Sequence, residues 1–154
     1  HVIFPHPDHP EAPAALMAEL GGVEICFGGI GINGHIAFNE PPEPGVTMSD
    51  AEFRQLPTRV LPLSRESRTI NSVGGASGDI RTVPKLAITL GMRELLAARR
   101  MRFYCNRPWQ RSIVRRVLHG PVTAAIPATF MQAHPDAKLT ITAEVAQTPA
   151  VRLT

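Results

Sequence analysis

Residues 28–41 of the chain, GGIGINGHIAFNEP, hold four glycines, one histidine and one glutamate, and they follow directly on the apolar run VEICF. An apolar run that ends in glycine is typical of a buried strand. Closely spaced glycines let the backbone turn sharply and let a ligand approach main-chain N–H groups. In an open α/β sheet, ligands bind outside the carboxyl ends of the strands. The stretch therefore predicts a strand that leads straight into a binding or catalytic loop.

The sequence around this stretch alternates strand-like apolar runs with short helical segments. We predict strands at 59–64, 85–91 and 101–106, and a helix over PWQRSIVRRVLHG whose apolar face holds Trp109, Ile113, Val114, Val117 and Leu118. The other predicted elements are a helix in EAPAALMAEL that ends at Gly21-Gly22, an excursion loop over 42–58, a helical start and a mobile loop in SRESRTINSVGGASGDIRTVP, short helices in MRELLAARR and PATFMQAHP, and a last strand in AKLTITAE. This alternation predicts an α/β, Rossmann-like layered fold with a mainly parallel sheet flanked by helices.

The length and composition are those of a globular domain. We take residues 1–154 as a single domain, with 44% apolar and 5% aromatic residues. No apolar run approaches the roughly 18 residues that span a membrane, and no signal-peptide pattern is present. Cys26 and Cys105 each lie in an apolar run, so we expect two small buried hydrophobes rather than a disulfide, in keeping with a reducing cytoplasm.

The charge pattern bears on possible partners. The chain has 16 Lys and Arg against 13 Asp and Glu, with arginine clusters at 99–102 and 115–116. A basic stripe can bind phosphate or nucleic acid, but no nucleic-acid motif accompanies these arginines, which favours a solvated helix face. His1, His6 and His9 lie among prolines, which indicates a turn-rich connector rather than a rigid metal site. We expect no metal, no nucleic acid and no membrane partner.

The glycines of the opening stretch fit a dinucleotide-binding fingerprint only in part. Gly29, Gly31 and Gly34 match G-x-G-x-x-G, but Pro41-Pro42 leaves room for only a short helix after them. No acidic residue on a second strand stands where a ribose would need one. The pattern therefore favours a different use of this loop.

His35 and Glu40 are the residues in the stretch that can do proton chemistry. Histidine has a reference pKa of about 6.5, so it can both take and give a proton near neutral pH. A carboxylate close to an imidazole sets its tautomer and stabilises its charged form, which is the layout of general acid–base catalysis. The alternative is a histidine that only satisfies backbone groups in a tight loop.

The string GIGINGHIAFNEP closely resembles the G-x-G-x-D-G-H-I-A-F-N-E-P signature of the glucosamine-6-phosphate deaminases, also called isomerases. The resemblance extends through SRESRTINS, TVPKLAITLGMRELLAA and GPVTAAIPATFMQAHPDAKLTITAE, and so covers nearly all of residues 23–144. The related 6-phosphogluconolactonases share the G-x-D-G-H core without F-N-E-P. Residues 38–41 therefore favour the deaminase branch.

The resemblance implies a reaction and roles for individual residues. It implies that glucosamine 6-phosphate is converted to fructose 6-phosphate and ammonia without a cofactor. His35 would open the sugar ring by moving a proton between the ring and anomeric oxygens, with Glu40 as its partner and Asn33 in the place of a family aspartate. Gly29, Gly31 and Gly34 would then be substrate-binding positions.

Several departures from the family pattern leave other functions open. Asn33 cannot stabilise an imidazolium by charge. We therefore expect part of the roughly 10²- to 10⁴-fold rate enhancement of general acid–base catalysis to be lost. Val73 and Gln110 stand where the resemblance places a phosphate-contacting arginine and lysine, and we expect Arg107 or Arg111 to substitute.

The family's first part, with its phosphate loop and its C1/C2 proton-transfer aspartate, has no counterpart in the sequence. The predicted fold therefore lacks its N-terminal part. Because a doubly wound sheet cut in this way exposes an apolar edge, we also expect a homo-oligomer. The alternatives to a deaminase are a non-catalytic sugar-phosphate-binding or regulatory domain, a fragment, and, less favoured, a lactonase.

Overall fold

A computed structural model of the protein describes residues 2–149, so His1 and residues 150–154 lie outside the described part. In chain order the helices and strands are α1 (Ala12–Glu19), β1 (Ile25–Gly28), α2 (Asp50–Arg54), β2 (Arg59–Pro62), α3 (Arg65–Gly75), β3 (Leu86–Thr89), α4 (Met92–Leu96), β4 (Arg100–Cys105), α5 (Arg111–His119), β5 (Ala137–Ile141) and α6 (Ala143–Ala146). Short 3₁₀ segments lie at Ile80–Thr82, Pro108–Gln110 and Pro127–Ala133. None of the helices within residues 2–149 has the length and apolar character needed to cross a membrane.

The central sheet is parallel, as the sequence predicts. Its three strands run in the order β1-β4-β5. The β1–β4 register runs from Ile25 opposite Arg100 to Gly28 opposite Phe103, so the glycine-rich stretch leaves β1 at the carboxyl end of the sheet. The α/β fold with a mainly parallel sheet is confirmed.

Strands β2 and β3 differ from that expectation, because they pair with each other in an antiparallel sheet of their own. Their register runs from Arg59 opposite Thr89 to Pro62 opposite Leu86. Val60 and Leu86 are exposed. A half-solvated face is usual in antiparallel pairs, whereas strands inside a parallel sheet are buried on both faces.

Helix α5 packs on the core through Ile113, Val114 and Val117, as predicted. The prediction for the two ends of this apolar face is wrong, since Trp109 is 38% exposed and Leu118 is 47% exposed. Residues 108–110 form a 3₁₀ turn with about three residues per turn, which carries Trp109 off the face that a continuous α-helix would give it. Leu118 lies at the margin of that face, in the last turn of α5.

The segment 42–58, predicted as a loop, contains helix α2. Ser49 begins the helix with a capping box: its Oγ accepts from the Glu52 N–H at 3.2 Å, and the Glu52 carboxylate accepts from the Ser49 N–H at 2.8 Å. Phe53 is fully buried and stacks with Phe130 at a centroid distance of 6.0 Å. The segment is therefore anchored to the core at its centre.

The two cysteines are free thiols on neighbouring strands. Cys26 lies on β1 and is partly buried, and Cys105 lies on β4 and is buried. Burial raises the pKa of both thiols. Both thiols are free, as predicted; Cys105 is the buried hydrophobe that the sequence predicts, whereas Cys26 is buried only in part.

Candidate active site

The loop after β1 is folded tightly by its own backbone. The Gly31 N–H donates to the His35 carbonyl at 2.9 Å, and the Gly34 N–H donates to the Gly31 carbonyl at 3.0 Å. Gly34 has φ of +86°, a conformation that glycine adopts at no steric cost, and a Cβ at this position would collide with Ile126. Ala37 also has a positive φ of +52°, in the left-handed region that costs a non-glycine residue about 1–2 kcal/mol. The loop thereby turns His35 back over Gly31.

His35 is only 7% exposed, and its imidazole has hydrogen-bond partners at one of its two nitrogens. Its Nδ1 lies 2.8 Å from Asn33 Oδ1 and 3.3 Å from Ser67 Oγ. Asn33 Nδ2 donates to Glu40 Oε2 at 3.2 Å. Because an ionised carboxylate only accepts, Glu40 orients the amide so that its oxygen faces His35. That oxygen also only accepts, so Nδ1 carries the proton and Nε2 keeps its lone pair.

The N-terminus of α3 supports this arrangement at two points. Ser64, the N-cap residue, donates its N–H to Glu40 Oε1 at 3.3 Å, and its Oγ accepts from the Ser67 N–H at 3.1 Å. A carboxylate beside a helix N-terminus is favourable because the first N–H groups carry partial positive charge. Neither serine is singled out by sequence reasoning. A serine before a polar helix predicts an N-cap. It does not predict that this cap lies beside Glu40 and His35.

The surroundings of His35 keep it neutral. Burial lowers the pKa of His35 below its ordinary value of 6.5, and the negative charge of Glu40 offsets this only in part. A neutral imidazole with its lone pair on Nε2 is a proton acceptor at neutral pH. The arrangement suits the first half of a general acid–base step.

The lone-pair edge of His35 lies against Gly31, and Gly31 lines a cleft of about 710 Å³. A Cβ on Gly31 would overlap Cε1 and Nε2 of the ring. The cleft extends from Gly31 to the last turn of α3 and to the 3₁₀ turn before α5. The cleft therefore reaches Gly31, the residue against which Nε2 of His35 packs.

Of the predicted substrate-binding residues, Gly31 and Arg107 line this cleft. Gly29 lines a separate cavity of about 400 Å³ beside β1, and Gly34 packs against Ile126. These two glycines shape the loop in the structure, and their contact with substrate stays a prediction.

The position of Arg111 does not support its predicted role. Its Nε donates to the Glu144 carbonyl at 2.9 Å, and its guanidinium forms an ion pair with the Glu144 carboxylate at 3.2 Å. These contacts join the start of α5 to α6. Arg111 is thus occupied as a helix-to-helix link rather than aimed into the cleft.

Gln110 and Val73, which depart from the family pattern, have different environments. Gln110 is buried, with Nε2 donating to the Ile30 carbonyl at 2.7 Å and Oε1 accepting from the Arg107 N–H at 2.8 Å. It ties the Arg107 turn to the glycine-rich loop. Val73 is 69% exposed and lines the cleft.

Asn39 anchors the second half of the loop from behind. It is fully buried, and its Nδ2 donates to the Ile36 and Leu90 carbonyls at 3.1 and 2.8 Å. The remaining polar atom of the Asn39 side chain is also satisfied, since Arg59 Nη1 donates to Asn39 Oδ1 at 2.8 Å. Sequence reasoning missed both residues, which join the loop to the β2–β3 pair.

Fold and site together define an α/β protein with an oriented, neutral histidine at the carboxyl end of a parallel sheet. Within residues 2–149, no three His, Cys, Asp or Glu side chains are grouped so that they could share a metal ion. No family model matches the chain.

Comparison with known proteins, by sequence and by structure, identifies relatives of the chain. A glucosamine-6-phosphate deaminase of Lachnoclostridium phytofermentans is 37% identical over 122 residues, which are 79% of this chain and 47% of that protein. A solved monomeric glucosamine-6-phosphate deaminase matches with a TM-score of 0.78 at 29% identity, over 90% of this chain and 53% of that one. A 6-phosphogluconolactonase from Trypanosoma brucei shares the fold, with a TM-score of 0.60 at 18% identity over 89% of this chain and 51% of that one.

The chain belongs to the glucosamine-6-phosphate deaminase family, and it spans about half the length of the curated relatives it matches.

Proposed function

We propose that this site takes part in the isomerisation and deamination of an amino-sugar phosphate, in which glucosamine 6-phosphate and water give fructose 6-phosphate and ammonia. The relationship to glucosamine-6-phosphate deaminases supports the proposal. The observation on which it rests is the orientation of His35. Its Nδ1 faces an acceptor at 2.8 Å, and its Nε2 edge lies on the cleft glycine Gly31.

In this proposal His35 opens the sugar ring. Nε2 takes the proton of the anomeric hydroxyl and returns it to the ring oxygen, so the step leaves the proton count unchanged. Asn33 fixes the tautomer by its hydrogen bond, and Glu40 supplies the negative charge that favours the transient imidazolium. The transfer of a proton from C2 to C1 needs a second acid–base group, which the resemblance assigns to the part of the family that aligns outside this chain.

A second candidate function is non-catalytic binding of a sugar phosphate. The neutral side chain of Asn33 favours it, because Asn33 makes the shorter of the two hydrogen-bond contacts with Nδ1 and provides no charge to stabilise an imidazolium. This candidate keeps the cleft and the histidine as ligand contacts, and it predicts binding without turnover.

The test is to measure ring opening of glucosamine 6-phosphate, as exchange between its two anomers followed by NMR, with the parent chain, His35→Gln and His119→Gln. His119 is an exposed histidine in the last turn of α5 and serves as the matched control. We expect equal rates of ring opening with the parent and His119→Gln, and a loss of about 10²-fold or more in His35→Gln. Unchanged activity in His35→Gln contradicts the role of His35. A folded parent chain that binds the sugar phosphate without accelerating ring opening supports the binding domain instead.

Further predictions about the whole protein accompany this function. We infer a homo-oligomer, a single domain over residues 1–154 and a cytoplasmic location. The solved relative named above is monomeric, so sedimentation at several protein concentrations is the informative measurement. A clean monomer at all concentrations counts against the oligomer.

A further inference from the structure

We propose that the cleft recognises its amino sugar mainly through the amino group and the ring face, with Arg107 as a single anchor for the anionic substituent. This inference rests on the proposed function and specifies its substrate class: an amino sugar whose free ammonium contributes more to binding than its phosphate. Three neighbouring features of the cleft support it.

The first feature is the C-terminal end of α3, which forms one wall of the cleft through Asn71, Val73, Gly74 and Gly75. A helix C-terminus carries about half a negative charge and presents carbonyl oxygens. The N–H groups of Ala76 and Gly78 both donate to the Ser72 carbonyl, at 3.0 and 2.9 Å. Among residues 2–149, no backbone N–H beyond the helix is bonded to the carbonyls of 73–75. This wall attracts an ammonium group and disfavours a phosphate dianion.

The open space around this wall allows a ligand to approach it. Gly74 and Gly75 have no side chains, and nothing lies within 4 Å of where a Cβ would stand on either residue. Both glycines are exposed and line the cleft, so a ligand in the cleft can approach this end of α3.

The second feature is Trp109, which lines the cleft and is 38% exposed. It lies in a 3₁₀ turn that the buried Gln110 fastens to the Ile30 carbonyl at 2.7 Å, so the indole is presented from a fixed turn. An indole face offers apolar contact to the C–H groups of a sugar ring. It also attracts an ammonium within about 6 Å of the ring centre.

The third feature is the charge balance of the cleft. Of the described residues that line it, Arg107 is the one with a charged side chain, while Ile70, Val73 and Pro108 add apolar surface. Within residues 2–149 the Arg107 guanidinium makes no ion pair or side-chain hydrogen bond, so its donors are available to a ligand. A guanidinium can hold one carboxylate or phosphate in a two-pronged contact. One such anchor against an electronegative wall gives phosphate a smaller share of the binding free energy than the amine.

Trp109 also provides the measurement, because it is the chain's one tryptophan. The chain is titrated with glucosamine 6-phosphate, glucosamine, glucose 6-phosphate and inorganic phosphate, with tryptophan fluorescence and calorimetry as parallel readouts. We expect glucosamine to bind more tightly than glucose 6-phosphate, and inorganic phosphate to bind most weakly.

Three variants separate the contributions to binding. Arg107→Gln should weaken glucosamine 6-phosphate binding by about tenfold and leave glucosamine binding unchanged, since a charged hydrogen-bonded contact is lost only with the anionic ligand. Arg116→Gln, an exposed arginine of α5 outside the cleft, should change neither. Val73→Lys, which adds a second cation at an exposed cleft position, should tighten glucosamine 6-phosphate binding several-fold.

The possible outcomes keep this inference distinct from the proposed reaction. Glucose 6-phosphate binding more tightly than glucosamine, no effect of Arg107→Gln, or no binding by either readout overturns the cleft assignment. If glucosamine 6-phosphate is bound in the expected ranking and its ring is opened no faster than in water, the proposed reaction fails and the cleft assignment stands. If its ring opening is accelerated and Arg107→Gln binds it as the parent does, only the cleft assignment fails.

Discussion

Gly31 and His35 are in direct contact, with the Nε2 edge of the imidazole resting where a side chain on Gly31 would stand. The two residues are also joined through the backbone, since the Gly31 N–H donates to the His35 carbonyl at 2.9 Å. The imidazole ring thus packs directly on the backbone of Gly31. The loop can place the basic nitrogen beside the cleft only while residue 31 has no Cβ.

Replacing Gly31 by alanine should displace the imidazole. The added methyl group overlaps Cε1 and Nε2, and a shift of about 1 Å in a reacting group can lower a rate by about 10²-fold. We expect kcat/KM for ring opening of glucosamine 6-phosphate to fall by about that factor in Gly31→Ala while the protein stays folded, as followed by circular dichroism.

Gly45→Ala is the matched control. Gly45 has φ of +86° with nothing within 4 Å of where the methyl group of an alanine would stand, so alanine there strains the backbone without a collision. It should lower the free energy of unfolding by about 1–2 kcal/mol and leave kcat/KM unchanged. Equal kinetics in Gly31→Ala and the parent would show that the ring does not depend on this contact.

The lowered pKa of His35 predicts the pH dependence of both activity and stability. Burial holds the pKa below 6.5 in the folded state, so the neutral base persists below that pH and the acid limb of kcat/KM lies below 6.5. As pH falls from about 6.5 through the folded pKa, the unfolded chain binds a proton that the folded chain does not. This group therefore stabilises the fold less as the pH falls through that window. NMR titration of the His35 Cε1 proton gives the pKa directly.

Glu40→Gln should lower the pKa of His35 further, because the charge of Glu40 is the influence that raises it. The acid limb of activity should move to lower pH by the same amount, while the loss of charge beside the imidazolium reduces the maximal rate. A pKa that is unchanged or higher in Glu40→Gln would mean that the carboxylate does not act on the ring electrostatically.

Asn33→Asp should raise the pKa of His35. A carboxylate at the present amide position would lie about as close to Nδ1 as the 2.8 Å seen for Oδ1, and an opposite charge at that distance raises an imidazole pKa by roughly one unit or more. The variant also places two carboxylates in contact, since Asn33 Nδ2 now lies 3.2 Å from Glu40. We therefore expect lower stability near neutral pH in thermal unfolding. No upward shift in the NMR titration would contradict the contact between residues 33 and 35.

Ser64→Ala and Ser49→Ala remove equivalent N-caps from different helices. Each Oγ accepts from the N–H three residues later, and loss of such a cap costs about 1 kcal/mol in denaturant unfolding. Only Ser64 also donates its N–H to Glu40, at 3.3 Å. We expect both variants to be destabilised similarly and only Ser64→Ala to lose activity, by a few-fold, as the first turn of α3 loosens. Equal kinetics in the two variants would separate the α3 cap from the site.

Much of the fold follows from local sequence pattern. The parallel strands β1, β4 and β5 come from apolar runs that end in glycine or polar residues, and α5 comes from a helical period. Helix α2 had a local signal in Ser49 and Glu52, which the surrounding prolines obscured. Helix α6, capped by Thr142, was hidden in the tail of the predicted strand AKLTITAE. Both are helices of four or five residues, which are too short for the 3.6-residue period of apolar positions to be detected.

The site divides in the same way. Asn33, His35 and Glu40 lie within one short loop, so their association could be predicted from the sequence. Ser67 meets His35 across 32 residues, and Asn39 meets the Leu90 carbonyl across 51. Contacts of that separation depend on how β2, α3 and β3 pack, and no local pattern encodes them. The ion pair between Arg111 and Glu144 of α6 is likewise not encoded by a local pattern. The sequence alone therefore suggests that the Arg111 guanidinium is available to substrate.

The orientation of His35 is the central claim, and the measurement that tests it most directly is ¹⁵N NMR of its two ring nitrogens in ¹⁵N-histidine-labelled protein, at a pH above the His35 pKa. The resonances are assigned by comparison with His35→Gln. The structure predicts a protonated Nδ1 and an unprotonated Nε2, with Asn33→Leu losing that preference. A proton on Nε2 in the parent protein would contradict it, because the nitrogen beside Gly31 would then have no lone pair with which to take a proton from a sugar.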